Sequence, residues 1–163
     1  MNTNSAFHCN PATGERIRWL LRAGETGGEL VRFEMWATPG GGVLGAHVHR
    51  RSTERFEVLS GRLVLEAGDE QRVLLAGEQA VVPAGVPHRW RNGGEDELHM
   101  VIELDHPGRF EQMLETAFAA GRDGGFDARG RMRTFPALAL VRRFPDEISP
   151  PWPGWLRRIA TGH

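Results

Sequence analysis

A chain of 163 residues with 40% hydrophobic and 25% charged residues is long enough for one domain with its own core, and reads as globular rather than disordered. Its formal net charge of -1 gives no electrostatic footprint for a nucleic-acid partner, and no apolar run reaches membrane-spanning length. The single cysteine, Cys9, excludes an internal disulfide framework, and the use of Arg without any Lys marks a GC-rich gene rather than a function.

Residues 1–15 are polar and read as an N-terminal arm. The start, MNTNSAFHCN, has neither a basic n-region nor an apolar h-region, so no signal peptide is expected and the cytoplasm is the expected location. Residues 16–104 read as successive short strands. Ile17, Trp19 and Leu21 alternate with arginines, and Val31, Phe33, Met35 and Ala37 alternate with Arg32, Glu34, Trp36 and Thr38. Glycine-rich turn signals follow at residues 39–42, 61, 68–69, 77, 83–85 and 92–94, and Leu98, Met100, Ile102 and Leu104 close the series. This spacing predicts an all-β barrel or sandwich. From residue 105 the period becomes helical. Phe110, Met113, Leu114, Ala117 and Phe118 share a face, Gly121 is a stop, and a second helix is expected over 136–144. Residues 105–163 are thus expected to form a helical extension packed on the barrel. Its apolar surface would include Phe135, Leu138, Val141, Phe144, Trp152 and Trp155, and its partner would be the outer face where Trp36 projects, unless a second subunit covers that face.

Two segments carry the chemistry. In the first, Gly41 is followed after five residues by His47-Val48-His49, then Glu54 and Gly61. In the second, Gly77 leads to Pro83-Ala84-Gly85, His88 and Asn92. These segments match both motifs of the cupin superfamily at every signature position, and the short spacing between them resembles the small single-domain bacterial cupins. The resemblance covers residues 30–104 and implies a double-stranded β-helix, or jelly-roll, barrel that pairs through sheet edges as a homodimer.

The spacing agrees with that resemblance. His47 and His49 stand at i and i+2, on one face of a strand, and can reach one ion together. Glu54 shares parity with Phe56 and Val58, so it turns toward the same interior, and His88 enters from the second motif. Three imidazoles and a carboxylate suit one divalent transition metal. Iron(II) is favoured, with Mn, Ni, Zn or Cu as the other candidates. Positions left open would make it a catalytic rather than a structural site. His99 is out of phase with the apolar face of its strand and is expected outside the site. Glu57 is expected on the outer face, paired with Arg55 or Arg89. His106 is expected near a helix start, and Asn92 is expected to close a turn.

By family analogy the expected function is a metal-dependent oxygenase of the dioxygenase type, acting on a small chelating organic substrate. Its pocket would be lined by Phe33, Met35, Phe56, Val58, Trp90 and Met100, and the resemblance suggests Glu54 as general base. Two further readings use the same scaffold. One is a redox-neutral isomerase, cyclase or lyase, and the other is a non-enzymatic small-molecule-binding protein.

Overall fold

The computed structural model describes residues 6–43 and 45–151. Nine strands come first: β1 (Phe7–Cys9), β2 (Arg16–Leu21), β3 (Leu30–Ala37), β4 (Glu54–Ser60), β5 (Arg62–Ala67), β6 (Glu70–Leu75), β7 (Gln79–Val82), β8 (His88–Asn92) and β9 (Leu98–Asp105). Two helices follow, α1 (Phe110–Arg122) and α2 (Thr134–Arg143). The strands form two antiparallel sheets, one in the order β1-β2-β3-β9-β4-β7 and the other in the order β6-β5-β8. Together they make the jelly-roll barrel.

Period-two patterning sets which side chains go inside. In β3, Val31, Phe33, Met35 and Ala37 are all buried, and their partners Leu104, Ile102, Met100 and Leu98 on β9 are buried opposite them. Phe56 and Val58 of β4, and Leu63 and Leu65 of β5, complete the core from both sheets. A bulge between Trp19 and Leu21 breaks the alternation of β2, so Leu21 is only half-buried whereas Ile17 and Trp19 are fully enclosed. Gly61 turns the β4–β5 hairpin at φ 86°, and a Cβ there would fall 2.8 Å from the Glu97 carbonyl oxygen, so only glycine fits.

The described part of the N-terminus, residues 6–15, is not a free arm. Phe7–Cys9 forms β1 against Arg16–Arg18, and Asn10 is buried. The extension also lies elsewhere than expected. Trp36 is covered by Phe7, by His99 stacked on it at 4.3 Å, and by Arg16 and Arg18. Helix α1 instead packs on the inner core, where Phe110 stacks on Phe33 at 5.9 Å and Met113 and Phe118 are buried. Leu140 and Phe144 are buried as well, but Phe135 (86% exposed) and Leu138 (54% exposed) face outward, because the α2 apolar stripe is narrower than its composition implies. Trp152 and Trp155 lie outside the described residues. The outer-face ion pairs also differ from expectation. Arg55 meets Glu103 and Arg89 meets Glu66, each directly opposite on the neighbouring strand, which leaves Glu57 to reach across β9 to Arg32 at 3.8 Å.

Candidate metal centre

His47 and His49 stand on a segment that is not a continuous strand. It is held at two points by backbone pairing, His47 with His88 of β8 and Val48 with Ser149 of the extension. The Pro83–Gly85 turn adds a third tie, because the Gly85 N–H donates to the His49 carbonyl at 2.8 Å. Glu54 opens β4, pairs in register with Leu104 and Val82, and points inward. All four side chains are buried, and one ligand atom from each lies within 4.8 Å of the others.

The hydrogen bonds decide how the imidazoles face. The Nδ1 atoms of His47, His49 and His88 lie against the carbonyl oxygens of Gly45, Glu147 and Val86 respectively. A carbonyl only accepts, so each Nδ1 carries a proton and donates it, which leaves the Nε2 atoms for the centre of the cluster. There, His88 Nε2 lies 2.8 Å and His49 Nε2 lies 3.6 Å from the same Glu54 oxygen, Oε2. Adjacent ligands of a metal bound at about 2.1 Å stand roughly 3 Å apart, so these separations fit a shared ion. The donor set, the fixed tautomers and the spacing all suit a divalent metal, which the buried His-His-Glu-His group could bind.

Electrostatics prepare the same state. Burial, reinforced by repulsion from His49 and His88, lowers the His47 pKa to about 3, so His47 is a neutral ligand across the working range. Burial likewise lowers His49, against the pull of Glu54. For Glu54, burial raises the pKa, but the His88 hydrogen bond and the three neighbouring imidazoles outweigh it and hold the carboxyl below its ordinary value. For His88, burial lowers the pKa, but the hydrogen bond and charge of Glu54 outweigh that and raise it. Metal binding must therefore displace a proton from His88. Metal affinity is expected to fall about tenfold per pH unit below the His88 pKa and to level off above it. A competition titration with a chromogenic chelator between about pH 5 and pH 8 checks this, and a flat profile would contradict it.

The cluster opens on a cavity of about 490 Å³ between the barrel and the extension. Of the residues expected to line a pocket, Phe33, Met35 and Trp90 do so. Phe56, Val58 and Met100 do not. They are enclosed deeper in the core, where inner-face parity alone cannot distinguish cavity wall from packing. Ile102 and, from the extension, Phe110, Met113 and Phe118 take their place. The part of the extension in the site was not foreseen. Phe110 lies edge-on to His49 at 5.7 Å, and the Glu147 carbonyl orients His49 from 98 residues away. No short motif signals a main-chain acceptor.

His99 lies outside the cluster, stacked on Trp36 and 3.1 Å from Glu34 Oε1. His99→Gln is expected to leave metal content unchanged by elemental analysis, and a large loss would place His99 in the site. Asn92 closes its turn, accepting from the Gly94 N–H and donating to the Ala37 and Asp96 carbonyls. His106 is exposed, at φ 44°, just before α1.

Residues 34–104 match the family model of the cupin domain, which together with the relatives below supports a cupin-superfamily protein. Quercetin 2,3-dioxygenase of Bacillus subtilis (strain 168) is 31% identical over 78 residues, which cover 48% of this chain and 23% of that protein. Oxalate oxidase 1 of Hordeum vulgare is 36% identical over 73 residues, 40% of this chain and 36% of that protein. The chain thus spans about a quarter to a third of the length of these two relatives. The solved structure of KdgF from Halomonas sp. shares the fold at a TM-score of 0.54 and 18% identity, over 64% of this chain and 89% of that one. The family, its oxidative relatives and the buried ligand set together support a metal-dependent cupin. No helix among the described residues is long and apolar enough to cross a membrane.

Proposed function

We propose that this cupin is a metal-dependent oxygenase of the dioxygenase type, acting on a small organic substrate that chelates the metal. The observation that carries the reading is a pre-oriented cluster of His47, His49, Glu54 and His88 opening on a cavity walled by apolar side chains. A bound divalent ion, iron(II) by preference, would supply Lewis acidity toward two neighbouring substrate oxygens. His47, His49 and His88 would hold it, and Glu54 would share in holding it. Once His88 gives up its proton to metal binding, Glu54 Oε2 loses that hydrogen bond and is placed to take a proton from an arriving hydroxyl. Phe33, Met35, Trp90 and Ile102 would pack against the substrate body and keep water from the reacting end.

The test is oxygen uptake by iron-loaded protein offered chelating substrates, flavonols and oxalate among them. Turnover with oxygen consumption supports the reading. Turnover without it supports the redox-neutral isomerase, cyclase or lyase, and tight binding with no turnover supports a binding protein. A homodimer paired through sheet edges belongs to the same proposal. The exposed Val73 and Leu75 on edge strand β6 would give such an edge apolar side chains, and sedimentation velocity would report the dimer.

A further inference from the structure

Glu15 stands two residues before Ile17 and four before Trp19, so strand parity turns it to the inner face. It is 6% exposed and lines the cavity, and no role assigned above uses it. Its Oε2 accepts from the Thr13 hydroxyl at 2.8 Å, whereas Oε1 is buried with no hydrogen-bond partner among the described residues. A buried acceptor left unmet destabilises the fold. Burial also raises the carboxyl's pKa above its ordinary value. The neighbouring inward positions are filled by Ile17 and Trp19, and neither gives Oε1 a hydrogen bond.

Its position is as informative as its missing partner. Arg16 pairs with Trp36, which puts Glu15 level with Ala37 and hence with Leu98, at the start of β9. Glu54 pairs with Leu104, near the other end of the same strand. Helix α1 gives a second ruler. Its first residue, Phe110, touches His49, and Gly121 near its end lies so close to Asn10, beside Glu15, that a Cβ there would fall 2.0 Å from Asn10 Oδ1. Eleven residues of helix rise about 16 Å. The cavity therefore runs from the metal ligands at one end to a carboxyl at the other, with Met35, Trp90 and Met113 among its walls.

We infer that Glu15 is a specificity-determining residue that accepts a hydrogen bond from a hydroxyl at the far end of an elongated, otherwise apolar substrate. The inference rests on the chelating-substrate reading above, which fixes the substrate's other end at the metal ligands. A hydroxyl suits the site better than an ammonium group, because Arg131 lines the same cavity.

A matched pair of probes tests it: biphenyl-3,4-diol, whose catechol end chelates, and biphenyl-3,4,4′-triol, which adds a hydroxyl at the remote end. Calorimetric binding to the zinc-loaded 163-residue protein under nitrogen is expected to favour the triol by about tenfold, the worth of one buried hydrogen bond. Glu15→Leu should abolish that preference while leaving metal content and diol affinity in place, and Glu15→Gln, which keeps an acceptor oxygen, should retain much of it. The ligand-free Glu15→Leu protein should melt no lower than wild type, which a purely structural Glu15 would not allow. Equal binding of both probes to the wild type, or a triol preference that survives Glu15→Leu, would overturn the anchor alone. Failure of either probe to bind the metal-loaded wild type would overturn the chelating-substrate reading and the anchor with it.

Discussion

His88→Ala is expected to lower metal affinity by more than the roughly 10–100-fold that loss of an outer hydrogen-bond partner costs, while the barrel stays folded. His88 is the ligand whose Nε2 meets Glu54 Oε2 at 2.8 Å, and its backbone pairs with His47, so it stands at the centre of the cluster. Removing its ring takes away one donor and leaves the Glu54 carboxylate buried without its closest partner. The fold survives because the surrounding core, Phe56, Leu65, Trp90 and Ile102 among others, is intact in the variant. His47→Ala and His49→Ala should behave alike. Glu54→Gln should lose less, because the amide keeps one oxygen that can coordinate. Elemental analysis after exhaustive dialysis, with a melting curve on the same sample, checks each. Wild-type metal content in a folded His88→Ala protein would remove His88 from the site.

Cutting the chain after Leu104 is expected to give an insoluble or much less stable protein, although every metal ligand is retained. The cut removes Phe110, Met113, Phe118, Leu140 and Phe144, each buried and each worth about 1.5–3 kcal/mol at the upper end of area-based estimates. It also uncovers Phe33, on which Phe110 stacks. The site suffers separately. The Glu147 carbonyl that fixes the His49 tautomer is lost, as are both backbone hydrogen bonds between Val48 and Ser149. Any soluble residues 1–104 protein should therefore bind metal more weakly than the full chain, beyond what its lower stability explains. Solubility, melting temperature and metal affinity measured together check this. A soluble fragment with near-native melting temperature and metal affinity would show that the extension is an appendage.

The parts of the molecule legible in sequence are those set by local periodicity. Val31, Phe33, Met35 and Ala37 lie inside because strands alternate, and Phe110, Met113 and Phe118 lie inside because helices repeat at 3.6 residues. The ligands were legible because an HxH pair, a glutamate and a third histidine match a known spacing. What was not legible depends on where elements meet. Parity shows that Phe56 and Met100 point inward, but not that they are packed rather than cavity-facing. The extension's contact with His49 runs through a main-chain oxygen, and main-chain atoms leave no side-chain signature. Glu15 falls between these cases. Its parity with Ile17 and Trp19 was visible, and a carboxylate in an inward register was the signal that could have found it.

X-ray absorption at the edge of the metal retained by the purified 163-residue protein decides whether His47, His49, Glu54 and His88 hold an ion. About one transition-metal ion per chain is expected, with a nitrogen and oxygen shell near 2.0–2.2 Å and the outer-ring scattering of three imidazoles. Failure to retain or take up any metal, or a spectrum without imidazole scattering, would contradict it.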